Sequence, residues 1–337
     1  MSVLPARPLE DRVDPDAARE LKARILERLP SAVEASSLPG EHDAPWPWVA
    51  VGLSPTGDGA RVAVRLQRDG DRALLPDLGR AAEQEVEVRV IGPVRSLSSP
   101  GELQRRVRPL RPGLSVAHES VTAGTLGGFV RTASGLAILS NNHVLAASNA
   151  ATPGDAVLQP GPADGGTPDD RVASLTAFER MVAERANLVD AAVAVLDEGV
   201  DADPGALPGG PLLGSVPDGL DVEPDEAVEK IGRTTGHTAG RITAVEVDGV
   251  AVQYDDAVYR FDDQVEIEGV SGAFSAGGDS GSVIWRSRDR AAVALLFAGS
   301  ETGGTAGTGV TFANPLATVL STLGVDWWKD PLPPTTR

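Results

Sequence analysis

Three segments carry side chains whose types and order allow nucleophilic catalysis: LSNNHVLA with His143, NLVDAAVAVL with Asp190, and GGDSGSVIW with Ser280. A serine hydroxyl is a weak nucleophile at neutral pH. It becomes effective when a histidine takes its proton and a carboxylate fixes the imidazole tautomer and steadies the imidazolium. The chemistry also needs donors aimed at the oxyanion that develops. Each segment alone has a plainer reading. A lone histidine among four is more often structural, an aspartate before a strand is more often a turn or cap residue, and GGDSGS could be a flexible turn. The combination is more specific. The order is His, Asp, Ser, with His143 and Asp190 in the first half of a β-rich region and Ser280 in its second half. That order suits a site at the junction of two barrels.

The elements that must position these residues are short strands. From about residue 121 the chain alternates GGFVRT, GLAILSN, DAAVAVL, EKIGRTT, GRITAVEV, SGSVIWR and AVALLFAG with Gly, Pro, Asp and Asn turns. Many short, evenly spaced strands predict a mainly β region, a barrel or sandwich. PLATVLSTLG, residues 315–324, reads as a closing helix. Upstream, a helix is predicted over 14–30. Asp14 caps it, Pro15 suits its first turn, and Ala18, Leu21, Ile25 and Leu29 share one face. WVAVGL, ARVAVRL, a partly helical DRALLPDLGRAAEQE and the alternating EVEVRVIGPV predict a β-β-α-β unit over 46–93. So thin a sheet needs to pack on something. The expected organisation is an N-terminal helical segment (1–35), a small α+β accessory domain and linker (36–110), a main domain (111–325, split near 205–225) and a tail (326–337).

Composition narrows the function classes. The chain has 337 residues, 30 basic and 48 acidic side chains, and a formal net charge of −18. Nucleic-acid binding needs clustered Lys and Arg, and an anionic membrane surface attracts the same charges. No nucleic-acid or membrane partner is expected, and solubility is the plainer reading of the acidity. There is no cysteine, which excludes disulfides, a thiol nucleophile and thiolate metal sites. The acid runs around Asp164, Asp169, Asp170, Asp255, Asp256, Asp262 and Asp263 lack the spacing of a calcium loop. No metal and no cofactor are expected. The first residues, MSVLPARPLEDRVDPD, lack an apolar signal core, and no window reaches the ~18 apolar residues of a membrane span. The expected location is the cytoplasm.

SNNHVLA resembles the histidine segment of the chymotrypsin/trypsin-like serine proteases, DAAVAVL their aspartate segment, and GGDSGS their nucleophile segment. EKIGRTTGHTAGRI is similar to the segment that opens the second barrel in bacterial members such as alpha-lytic protease. RPLRPG and AGTLGGFVR add a resemblance to bacterial intracellular members with an added N-terminal domain. The likeness covers residues 121–322 and implies a chymotrypsin-like double β-barrel. It implies a serine endopeptidase acting on a protein or peptide substrate. Ser280 would be the nucleophile, His143 the general base and acid, and Asp190 the group orienting His143. The N–H groups of Gly278 and Ser280 would form the oxyanion hole. Asp279 would need a cationic partner to shape that loop, and Arg233 of GRTTG is the expected one.

The resemblance assigns Phe297, Ala298 and Gly299 to substrate binding, Phe274 to the base of the primary pocket and Gly309 to its opposite wall. With no acid at the base, a shallow apolar pocket is expected rather than an Arg- or Lys-selecting one. The other reading of Phe274 is a core residue. His237, in GRTTGHTAG, reads as a turn histidine. A free protease inside a cell is hazardous, so restriction by substrate choice or by a regulatory protein partner is expected. Two other readings stand beside it. An α/β-hydrolase has the order Ser, Asp, His and a G-x-S-x-G elbow, whereas here Ser280 comes last and Ser282 stands where the elbow needs glycine. A catalytically silent binding or scaffold protein on the same fold is the alternative, since a triad alone does not guarantee a formed oxyanion hole.

Overall fold

A computed structural model of the chain describes residues 15–29, 49–56, 59–76, 85–92, 101–213, 222–255 and 257–329. Helix α1 (Pro15–Leu26) buries Ala18, Leu21 and Ile25, the face that their spacing predicts. Strands β1 (Val49–Thr56) and β2 (Gly59–Leu66) form an antiparallel hairpin, and β3 (Val86–Val90) pairs parallel to β2. The link after β2 is a short 3₁₀ helix, Asp69–Leu74. The rest of the expected helical stretch, 77–84, lies outside the described residues.

Val49, Val51, Leu53, Val62, Val64 and Leu66 pack with α1. Ala50 and Ala63 point the other way, into a core shared with the second barrel. Large side chains on one face and small ones on the other explain why both strands read as apolar runs. β1 also pairs edge-on with β13 (Gly236–Asp248), Val51 opposite Asp248 and Leu53 opposite Val245, inside one nine-stranded sheet. The expected accessory domain is therefore a sheet extension of the second barrel, with no separate core of its own on the Ala50–Ala63 side.

The first barrel is an open sheet of β4 (Ser115–His118), β5 (Gly124–Thr125), β6 (Gly128–Thr132), β7 (Gly135–Ser140), β8 (Ala156–Leu158), β9 (Arg171–Phe178) and β11 (Ala192–Leu196). Leu114, Val116, Phe129, Ile138 and Ala194 are among the residues that fill it. β20 (Asp326–Trp327) adds to β6 at its edge, so part of the expected tail is sheet, and Trp327 is buried. The second barrel closes on itself. The ring runs from β12 (Ala227–Gly232) through β17 (Val283–Arg286), β18 (Ala292–Gly299), β19 (Thr311–Pro315), β16 (Gln264–Gly269) and β13 back to β12.

Val130, Leu139 and Val193 of the first barrel meet Val283 and Leu295 of the second. Helix α3 (Leu316–Leu323) packs there through Leu316 and Val319 and ends at Gly324, whose φ of 63° the left-handed cap requires. A hairpin of β14 (Val250–Gln253) and β15 (Val258–Phe261) projects from the end of β13 and pairs with the short β10 (Ala186–Asn187). Among the described residues, no helix is long and apolar enough to cross a membrane.

Candidate active site

His143 lies in a single helical turn, α2 (Asn142–Leu145), that follows β7. The turn is pinned at its start. Asn141 donates to the carbonyl of Asp190 at 2.7 Å, and Asn142 donates to the carbonyl of Glu179 at 2.6 Å. Asp190 directly precedes β11, and the pairing of Ala192 with Ser140 brings it beside that turn. Its own N–H is held by Asn314 Oδ1 at 3.0 Å. Three donors meet the fully buried Asp190 carboxylate. The backbone N–H of His143 reaches Oδ1 at 3.1 Å, His143 Nδ1 closes on Oδ2, and the Tyr254 hydroxyl donates to the same Oδ2 at 2.7 Å. With Nδ1–H committed to the carboxylate, Nε2 is left as the free basic nitrogen.

Ser280 sits in a tight turn between β16 and β17. Gly278 has φ of +84° and Gly281 φ of +95°. A Cβ on Gly281 would lie 2.1 Å from Ser140 Oγ, so this turn requires glycine. The turn is stitched to both barrels: Thr125 N–H donates to the Ser280 carbonyl at 2.8 Å, Thr125 Oγ1 to the Gly278 carbonyl at 2.7 Å, and Gly281 N–H to Leu296 O at 2.8 Å. Among the described residues the N–H groups of Gly278 and Ser280 have no acceptor. Two unsatisfied donors side by side are what an oxyanion site needs. The Ser280 hydroxyl lies 3.4 Å from the carbonyl of Phe297 and makes no hydrogen bond to His143. Catalytic hydrogen bonds often tighten only when substrate is present.

The expected partner of Asp279 is a different one. Arg233 forks onto Asp164 of the first barrel, Nε to Oδ2 at 2.7 Å, and makes no contact with Asp279. Lys230 takes that place, with Nζ 3.2 Å from Asp279 Oδ2 and both side chains 0% exposed. Lys230 lies on β12 and points into the barrel end where Asp279 sits, whereas Arg233, just past the strand, points to the first barrel. Burial pushes the Lys230 ammonium below its ordinary range, and Asp279 pulls against that. The Asp279 carboxylate also accepts from the N–H groups of Thr234, Thr235 and Ala276 at 2.9, 3.1 and 2.9 Å and from the Thr235 hydroxyl at 2.6 Å.

His143, Tyr254, Gly278, Arg233, Phe297 and Ala298 line one cleft of about 730 Å³. The structure thus brings Phe297 and Ala298 to the cleft that His143 lines, with Phe297 at a register shift in β18 that turns its carbonyl toward Ser280. Gly299 follows, opposite Thr311. Phe274 does not border the cleft. It is buried among Val228, Ile242, Ile267 and Leu296. Gly309 closes the 300–310 turn, its N–H donating to Gly303 O at 3.0 Å, and is likewise not a cleft residue. Beside Gly299 the hydroxyls of Ser275 and Thr311 face each other at 2.6 Å. His237 pairs with Glu229 at 2.6 Å and stacks on Trp285, outside the cleft. Sequence reasoning missed Tyr254, Lys230, Thr125 and Asp164. Lys230 had a signal, a cation inside the apolar run AVEKIG, and Tyr254 had another, since the chain has only two tyrosines and both lie on the β14–β15 hairpin.

No protein-family model and no curated protein matches the chain. The chain is similar to the solved structure of a glutamic acid specific serine protease that utilizes a histidine triad in substrate binding. That match has 20% identity and a TM-score of 0.46 over 65% of this chain and 100% of that one. It is also similar to Thermobifida fusca protease A (16% identity, TM-score 0.45, 66% of this chain and 100% of that one). A Cellulomonas bogoriensis chymotrypsin gives 17% identity and a TM-score of 0.43 over 66% and 100%. The architecture, one closed six-stranded barrel against an open one, is the chymotrypsin-like double β-barrel.

Proposed function

We propose that the chain is a serine endopeptidase that hydrolyses peptide bonds through an acyl-enzyme intermediate. The observation that best supports this is the buried Asp190 carboxylate closing on His143 Nδ1, at a cleft that the Ser280 turn borders. In this reading the Ser280 hydroxyl swings from the Phe297 carbonyl to His143 Nε2. Oγ attacks the scissile carbonyl carbon as Nε2 takes its proton. The oxyanion settles on the N–H groups of Gly278 and Ser280. The C–N bond then breaks, and His143 passes the proton to the leaving amine. A water molecule attacks the acyl ester, giving a proton to His143, which returns it to Ser280 Oγ. Asp190 keeps Nδ1–H in place throughout and balances the imidazolium charge.

The substrate backbone would lie along β18 at Phe297, Ala298 and Gly299. The adjoining Ser275–Thr311 hydroxyl pair, in place of a charged base, favours small neutral side chains in the first pocket. A second reading, a catalytically silent binding protein, rests on the missing Ser280–His143 hydrogen bond. A fluorophosphonate probe separates the two. The folded wild-type chain is expected to be labelled at Ser280 and the Ser280→Ala variant not at all, and cleavage of a peptide library would then define the pocket. A folded wild-type chain that resists the probe would overturn the protease reading in favour of the silent one.

A further inference from the structure

The β14–β15 hairpin is the one element of the cleft that the protease reading leaves without a task, and its tip carries Tyr254. The tyrosine is 9% exposed and touches both members of the His–Asp pair. Its hydroxyl donates to Asp190 Oδ2, the same oxygen that meets His143 Nδ1, and its ring stands edge-on to the imidazole with centroids 5.4 Å apart at 63°. The hairpin is fastened to the segment that leads into Asp190. Asp262 N–H, just past β15, donates to Asn187 O at 2.9 Å and Asn187 Nδ2 to Arg260 O at 3.0 Å, and at the start of β16 Gln264 Nε2 donates to Leu188 O at 2.9 Å.

Its other side leans on the N-terminal strands. Gln67, just past β2, donates to Ala251 O at 2.7 Å. Ala50, Ala63 and Ile91 share one core with Val250, Tyr254 and Phe297. The N-terminal strands, the hairpin and the cleft wall are therefore one packed body, and Tyr254 is the atom-level link from that body to Asp190.

We propose that Tyr254 is a positioning residue for the Asp190–His143 pair, and that the N-terminal strands set the activity of the site by bracing the hairpin that carries it. This rests on the protease reading above. The phenol O–H shares the charge of Oδ2 with the imidazole. Removing it leaves more of that charge to the Nδ1–H bond and leaves the carboxylate held by the two His143 donors alone. Its ring lines the cleft, so Tyr254→Phe, which keeps the ring, is expected to act on turnover and to leave substrate affinity alone.

The test is Tyr254→Phe, which keeps the ring and deletes the donor, beside Gln67→Ala, which removes the brace. Two readouts are taken on the full chain: the strongly deshielded Nδ1 proton by NMR, and kcat and KM on a peptide found by library screening. For Tyr254→Phe the Nδ1 proton is expected to move, and kcat to fall roughly ten- to a hundredfold at constant KM, the range for losing a hydrogen bond to a charged group. For Gln67→Ala the same changes are expected at roughly two- to tenfold, the range for a neutral bond. An unmoved Nδ1 proton in Tyr254→Phe overturns the positioning role, and an unmoved one in Gln67→Ala overturns the bracing. The NMR arm reads the contact whether or not the chain turns over substrate. A shifted proton in a chain that resists the fluorophosphonate probe would leave the contact standing and remove the protease reading alone.

Discussion

Lys230→Met is the sharpest probe of how the Ser280 turn is held. The Lys230–Asp279 pair is wholly buried, and removing one partner of such a pair costs about 3–5 kcal/mol because the other charge is stranded. Asp279 keeps three backbone N–H donors and the Thr235 hydroxyl. These offset part of the loss, so about 2–3 kcal/mol is expected. A double-mutant cycle with Asp279→Asn isolates the pairwise part. Urea unfolding followed by tryptophan fluorescence reads it, since Trp285 is fully buried on β17. The expected Lys230–Asp279 coupling is about 1.5–3 kcal/mol. The parallel cycle of Arg233→Ala with Asp279→Asn is expected to give about 0.5 kcal/mol or less, because Arg233 spends its fork on Asp164. A large Arg233 coupling with a negligible Lys230 coupling would refute the assignment.

Three further outcomes are expected. Gly278→Ala must place a methyl 2.1 Å from Arg233 Nη1 at φ +84°, so the turn shifts and kcat falls roughly 10²–10³-fold, the cost of one oxyanion donor, measured with the substrate used for wild type. Arg65→Met leaves Glu266, whose Oε2 lies 2.6 Å from Arg65 Nε with both side chains 0% exposed, with the Thr243 hydroxyl but without its buried cation. It is expected to lower stability by about 3–5 kcal/mol, and adding Glu266→Leu is expected to restore most of it; a first, separate unfolding transition for the N-terminal strands in the wild type would contradict their place in the barrel sheet. The Arg19 hydrogen bond holds Glu246 below the usual carboxylate range against its burial. For Glu268 burial acts upward, but the Thr305 hydroxyl and N–H, with Arg89 and Arg241, bring it below the usual range. A depressed carboxylate contributes stability above its unfolded value and loses it as pH falls through the folded one. Amide protection factors in α1 and β16, corrected for the intrinsic pH dependence of exchange, are therefore expected to fall as pH is lowered below the ordinary glutamate range, and protection factors that do not change there would refute both assignments.

What was legible in the sequence follows from how local each feature is. His143, Asp190 and Ser280 could be read because each sits in a short turn whose residues serve that turn, such as Gly278 and Gly281 around Ser280. The strands could be read from their apolar runs. Which cation meets Asp279 could not, because Lys230 and Arg233 are three residues apart and only the direction in which each leaves β12 decides between them. Phe274 stands at a pocket-base spacing in the chain, yet the strand crossing at Gly240 and Ile267 turns its ring into the core. Tyr254 is 64 residues from Asp190, and nothing local connects them.

The N-terminal strands show the same limit from the other side. β13 runs for 13 residues, and β16 follows it on one side as far as Val247, but on the other side β12 pairs with it only from Gly236 to Arg241, so along that edge its far end overhangs the barrel. Unpaired, that overhang would be an open strand edge, which invites pairing with another chain. β1 occupies it at Val245 and Asp248, and α1 then covers the outer face of β1 and β2. The overhang also launches the β14–β15 hairpin, whose inner side needs the small faces of Ala50 and Ala63 to pack against. One long strand thus creates both the need for an N-terminal sheet and the arm that carries Tyr254 to Asp190. This makes the N-terminal unit part of the architecture of the site, where its sequence alone read as an accessory to it.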